Sequence, residues 1–155
     1  MSCHLGLLPA KNEFKWLILE RGPRGEVAHV SSKKVEIPQL GRRDLELAWT
    51  YANVIETFGP LGIASACVIQ GALAKSNNES VLARAQVEGV VLAALASLKV
   101  DVTSLKKAGL VTEFNLKRNS PLELIPDLPA LRTGNGLQKY FDEPLAAALV
   151  AANVP

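Results

Sequence analysis

Four adjacent basic pairs carry the most concentrated charge in the chain: Lys33-Lys34, Arg42-Arg43, Lys106-Lys107 and Lys117-Arg118. They fall in turns and loops, where basic side chains ordinarily meet solvent. If the fold gathers them along one sheet edge, they can follow a phosphate backbone. Acidic and amide side chains stand at the ends of apolar runs: Glu20 after KWLIL, Gln70 after IASACVI, and Asp142 and Glu143 ahead of PLAAALVAA. Each has a simple local reading. Glu20 flanks the Arg21-Gly22-Pro23 turn, Gln70 can bond neighbouring backbone, and acids followed by Pro144 suit the start of a helix. Other chemistries have no support. His4 and His29 are isolated, with no zinc-ligand spacing. RGPRG and GNG match neither a P-loop nor a dinucleotide fingerprint. No Ser-His-Asp or Cys-His set can be argued from the order of residues.

The elements that must position these side chains follow from composition and period. In 155 residues, 48% hydrophobic and 21% charged, there is room for one core and no reason for disorder. A net charge of +2 excludes a histone-like polycation but leaves room for a local basic groove. Cys3 and Cys67 are too few for a disulfide framework, and Cys67 in its apolar run reads as a buried thiol. Residues 1–14 carry neither a basic n-region nor an apolar core, so they read as a loose leader and not as a signal peptide. No uninterrupted apolar run approaches the ~20 residues that cross a bilayer. The expectation is therefore a cytoplasmic chain with no membrane partner, one domain over residues 15–155.

Along that domain, strands are predicted at 15–20, 26–31 and around Val35 and Ile37, linked by Gly/Pro turns. A 3.6-residue stripe of Leu45, Ala48, Trp49, Ala52, Ile55 and Phe58 predicts a helix that Gly59-Pro60 ends. The run at 63–69 predicts a buried central strand. Ser76-Asn77-Asn78-Glu79 matches a capping box for a helix over 79–98 that is apolar on more than one side. Such a helix is sandwiched in the core or against a partner chain, and Gly89 in its middle suggests close approach of another element. A short strand at 100–105, an irregular loop at 117–136 and a helix at 140–152 complete the order.

LILERGPRGEVAHV (17–30), VIQGALAKSNNESVLARAQVEGVV (68–91) and the terminal KYFDEPLAAALVAA resemble, in order and spacing, segments of the RuvC-like, ribonuclease H-like superfamily. The closest likeness is to an uncharacterised RuvC-like domain family rather than to a true resolvase. In the superfamily the first strand ends in an Asp-Pro-Gly-type turn. The resemblance implies an α/β fold, a five-stranded mixed sheet flanked by helices. It implies descent from metal-dependent endonucleases of structured nucleic acid, whose carboxylates hold Mg²⁺ to activate water at a phosphodiester. Carried onto this chain, the first-strand acid falls on Glu20, the central-strand acid on Gln70, and the terminal acid on Asp142 or Glu143. Lys75, Lys117 and Arg118 would contact nucleic acid. Gln70 supplies an oxygen but no charge, which implies a degenerate site holding Mg²⁺ or Mn²⁺ weakly. The alternative is a non-catalytic binding or dimerisation module on the same fold, and a homodimer is expected through the 79–98 helix.

Overall fold

A computed structural model describes residues 1–71 and 78–153. In chain order the elements are β1 (Ser2–Pro9), β2 (Glu13–Arg21), β3 (Val27–Glu36), α1 (Arg43–Phe58), β4 (Ile63–Gln70), α2 (Glu79–Ser97), β5 (Asp101–Lys106), α3 (Lys107–Thr112), α4 (Leu128–Gly134) and α5 (Asp142–Asn153). The sheet order is β3-β2-β1-β4-β5. The first three strands form an antiparallel meander, and β4 and β5 continue parallel to β1. The expected five-stranded mixed sheet flanked by helices is present.

Each face of the sheet carries its own core, as alternation along the strands requires. Leu5, Leu7, Trp16, Ile18, Ala66 and Val68 pack with α1 and α2. Leu17, Leu19, Cys67 and Ile69 pack with α3, α4 and α5 on the other face. Cys67 is a fully buried thiol, and burial pushes its pKa up to about 12. In α5 every residue except Glu143 and Asn153 is buried. Its run of alanines lets the helix axis come close to the strands. Gly6 takes this furthest: a Cβ there would overlap the Pro144 carbonyl oxygen and the Ala148 amide.

Three expectations are corrected. Residues 1–14 are no loose leader, because β1 is the middle strand of the sheet and Leu5 and Leu7 have no exposure. His4 and Gly6 interrupt its apolar pattern, and both interruptions are answered by tertiary contacts. The Nδ1 and Nε2 atoms of His4 each lie 2.7 Å from a serine hydroxyl, of Ser65 and Ser2 respectively. The two short strands expected at 26–31 and near Val35 are one strand, β3, paired with β2 across an irregularity at Ile18/Leu19. The 117–136 segment contains α4, and its Ile125 and Leu128 are buried in the second core.

The helix over α2 starts where expected. Asn78 caps it, its side chain accepting from the Val81 amide at 2.9 Å, while Ser76 of the expected capping box lies outside the described residues. Among the described residues α2 is the one helix long and apolar enough to cross a membrane. Here it packs against α1 and the first core through Val87, Val91, Ala94 and Leu95. Among the described residues, no atom beyond the local helix backbone lies within 4 Å of a Cβ built on Gly89, so none of them supplies the close approach expected there.

Candidate nucleic-acid interface

β4 and β5 run parallel and end on the same edge of the sheet, where Gln70 stands opposite Lys106. β5 passes directly into α3, with Lys106 in extended conformation as the residue before the helix. The Lys106-Lys107 pair is thereby fixed at a strand–helix junction. A turn at 117–120 forms one wall. The Ser120 amide and hydroxyl both donate to the Lys117 carbonyl, at 3.0 and 2.6 Å, and Asn119 adopts a left-handed φ of 67°. Lys139 and Tyr140, and Asp142 and Glu143 at the start of α5, form another part of the wall. Together they enclose an open cleft of about 680 Å³, lined among others by Gln70, Lys106, Lys107, Asn119, Tyr140 and Glu143.

The acids of this cleft are already engaged. Asp142 is buried and accepts from Arg132 Nη1 at 2.7 Å, while its Oδ1 is buried with no hydrogen-bond partner. Glu143 Oε1 lies 3.9 Å from Lys107 Nζ, and Glu123 Oε1 lies 3.8 Å from Lys139 Nζ. Tyr140 leans on Phe141 with centroids 4.8 Å apart, and Lys15 Nζ sits 5.4 Å from the Tyr140 ring centre.

Of the residues singled out in the sequence, Gln70, Asp142 and Glu143 come together here. Lys117 and Arg118 are exposed in the turn that ends at Ser120, next in sequence to the lining residues Asn119 and Ser120 but not themselves among them. Lys75 lies outside the described residues. Glu20 does not join them. It pairs with Cys3, which is in register with Ile63, so it stands at the far end of the sheet, two strands over from Gln70 and roughly 23 Å from it along the strand direction at about 3.3 Å per residue. The cause is the missed first strand. With β1 in that role, the end of the first strand reads Leu8-Pro9-Ala10, and the position that the resemblance gives to an aspartate holds a leucine.

Lys106, Lys107, Arg132, Lys139 and Tyr140 were not expected in the site. The first two had a visible signal, a basic pair directly after an alternating strand. Arg132 had none, because its partner lies ten residues on and across a turn. Glu88 is a further surprise. It lies in the third turn of α2, and its carboxylate accepts from the Gly71 amide at 2.8 Å. Arg84 Nη2 reaches the Ile69 carbonyl at 3.3 Å one turn earlier. The helix therefore starts beyond the end of β4 and runs back over it, so its third turn meets the strand end and holds the backbone next to Gln70.

A two-ion centre needs several carboxylates facing one point. Among the described residues no three His, Cys, Asp or Glu side chains are grouped to hold a metal. Leu8 and Gln70 bring no charge, and Asp142 and Glu143 each face a cation of the chain itself. The residues present do not fit such a centre.

No protein-family model and no curated protein matches the chain. Solved structures do. Thermus thermophilus RuvC matches at 15% identity with a TM-score of 0.76, over 96% of this chain and 92% of that one. The structure of T. thermophilus RuvC in complex with a Holliday junction substrate matches at 15% identity and TM-score 0.74, over the same shares. The yeast mitochondrial Holliday junction resolvase Ydc2 matches at 12% identity and TM-score 0.67, over 97% of this chain and 76% of that one. With the strand order and the two-sided core, these likenesses establish that the chain has the RuvC-like ribonuclease H fold.

Proposed function

We propose that this chain is a nuclease-derived, RuvC-like domain that binds structured nucleic acid across the cleft at the ends of β4 and β5, with divalent-ion chemistry reduced to weak Mg²⁺ or Mn²⁺ binding at most. The observation that carries this reading is the position of the lysine pair. Lys106 and Lys107 lie with Gln70 and Glu143 in an open cleft, and the exposed Lys117 and Arg118 precede its lining residues Asn119 and Ser120 in the chain. Contacts of this kind are sequence-independent and lose affinity steeply as salt rises. The T. thermophilus relative in complex with a Holliday junction supports a branched substrate as the first to try.

Fluorescence anisotropy with a labelled four-way junction and a linear duplex tests the reading. The junction is expected to bind more tightly, and a Lys106→Glu/Lys107→Glu variant is expected to lose about tenfold or more and to show a shallower salt slope. Equal binding by that variant, correctly folded, would remove the cleft from consideration. Cleavage assays with Mg²⁺ and Mn²⁺ are expected to show little product, and brisk cleavage would contradict the reduced metal site. Gln70→Glu restores one negative charge and is expected to tighten Mn²⁺ binding in calorimetry.

A further inference from the structure

We propose that the cleft accepts a phosphate group directly, without a bridging divalent ion, because cations of the chain itself occupy the acids that such an ion would need. This rests on the reading of the cleft as a nucleic-acid site and concerns how that site handles charge. Arg132 and Asp142 decide the matter. Their side chains are 23% and 8% exposed and meet at 2.7 Å. A guanidinium does not lose its proton, so a metal ion approaching Asp142 competes with a permanent, largely desolvated cation. The remaining oxygen, Oδ1, has no hydrogen-bond partner, but one acceptor of one already paired carboxylate does not make an ion-bridging centre. The Lys107–Glu143 contact at 3.9 Å is looser and solvent-exposed, so it contributes less.

The charge balance then favours an anion. Lys106, Lys107, Lys139 and Arg132 stand against Glu123, Asp142 and Glu143 around the cleft. Lys106, next to Gln70 in the sheet, forms no ion pair among the described residues. Asn119 and Ser120 add neutral groups able to donate to phosphate oxygens. A phosphate entering here meets lysine ammonium groups where a metal-dependent relative would offer metal ions. Divalent cation and nucleic acid are therefore uncoupled: each binds, or fails to bind, without regard to the other.

Two measurements test this. In the first, junction affinity is compared in EDTA and in millimolar Mg²⁺ at equal ionic strength. It is expected to agree within about twofold, and a tenfold or greater gain with Mg²⁺ overturns the proposal. In the second, Mn²⁺ is titrated without nucleic acid into the parent, Arg132→Gln and Lys107→Gln, with circular dichroism as the check on folding. Arg132→Gln frees Asp142 and is expected to bind Mn²⁺ about tenfold more tightly than the parent, and unchanged affinity in the folded variant overturns the proposal. If Arg132→Gln does not fold, the exposed Lys107→Gln carries the test, with a smaller gain in Mn²⁺ affinity supporting it and none overturning it. Failure of the parent to bind the junction in either buffer defeats only the nucleic-acid reading. The charge inference is then judged by titrating inorganic phosphate in EDTA. Shifts of the Lys106 and Lys107 amide signals support it, and their absence overturns it.

Discussion

His4 sits in the middle strand with both ring nitrogens engaged, and its tautomer follows from its neighbours. The Ser65 hydroxyl gives its one proton to the Ala151 carbonyl at 2.8 Å, so its oxygen accepts from Nδ1–H of His4, and Nε2 accepts from Ser2. Burial, and then the Arg21 guanidinium, hold the ring's pKa below its ordinary 6.5. A histidine that resists protonation only when folded stabilises the fold fully above its unfolded pKa. That contribution is lost as pH falls below about 6.5, where the unfolded chain takes up the proton first. Urea unfolding is expected to show stability declining as pH falls below about 6.5, and His4→Gln is expected to flatten the decline, leaving the part due to His29, whose pKa is also lowered by burial. An identical decline in His4→Gln would show that the ring titrates as freely folded as unfolded. Gly6, two residues on, is a steric counterpart. A methyl group there meets helix backbone that no rotamer can move, so Gly6→Ala is expected to cost about 1–3 kcal/mol in chemical unfolding. No measurable loss would mean that α5 can lift from the sheet without penalty.

β4, α1, α2 and α5 were legible from period and punctuation because each is either continuously apolar or striped at helical spacing and is closed by Gly, Pro or a cap. β1 was not, since a histidine and a glycine in eight residues look like a leader until Ser65 and α5 explain them. Without β1, the end of the first strand falls at Glu20 and not at Leu8-Pro9, whereas Gln70, Asp142 and Glu143 lie on elements that were legible and line one cleft. Arg132 and Glu88 were out of reach, for their partners come from other elements and no local pattern announces them. The 117–136 segment shows the same limit. Its prolines suggest a mobile loop, yet Ile125 and Leu128 are buried, and the Leu131 amide bonds to the Asp127 carbonyl at 2.9 Å. Amide exchange is expected to be slow at Ile125, Leu128 and Leu131 and fast at Arg118 and Asn119, with the segment as a whole faster than β4. Exchange across the whole segment as slow as in β4 would show that the 117–120 wall of the cleft is as rigid as the sheet.

At the scale of the molecule, the two faces of the sheet are closed unequally. The α5 side buries its helix almost entirely. On the other side α1 and α2 leave a shallow apolar groove between them, lined by Leu47, Tyr51, Ala85, Gly89, Val90 and Ala93. Leu82 is 56% exposed on the same helix, and Leu45 and Tyr51 are 43% and 39% exposed on α1. A two-helix surface this apolar, with a glycine that meets nothing from other elements among the described residues, is where a second copy is expected to pack about a twofold axis. The cleft lies across the sheet from this surface, so a dimer formed here leaves both clefts open, and a branched nucleic acid can span the two. Sedimentation equilibrium at micromolar concentration is expected to give twice the mass of the chain. Val90→Glu places a charge in the groove without touching the buried side of α2, which is carried by Val87, Val91, Ala94 and Leu95. It is expected to yield a folded monomer with an unchanged circular dichroism spectrum. That monomer should bind a single duplex arm as the parent does but lose the preference for a four-way junction, because only the dimer presents two clefts at once. A parent that remains monomeric at high micromolar concentration would rule out the dimer, and a monomeric variant that keeps the full junction preference would show that branching is read within one cleft.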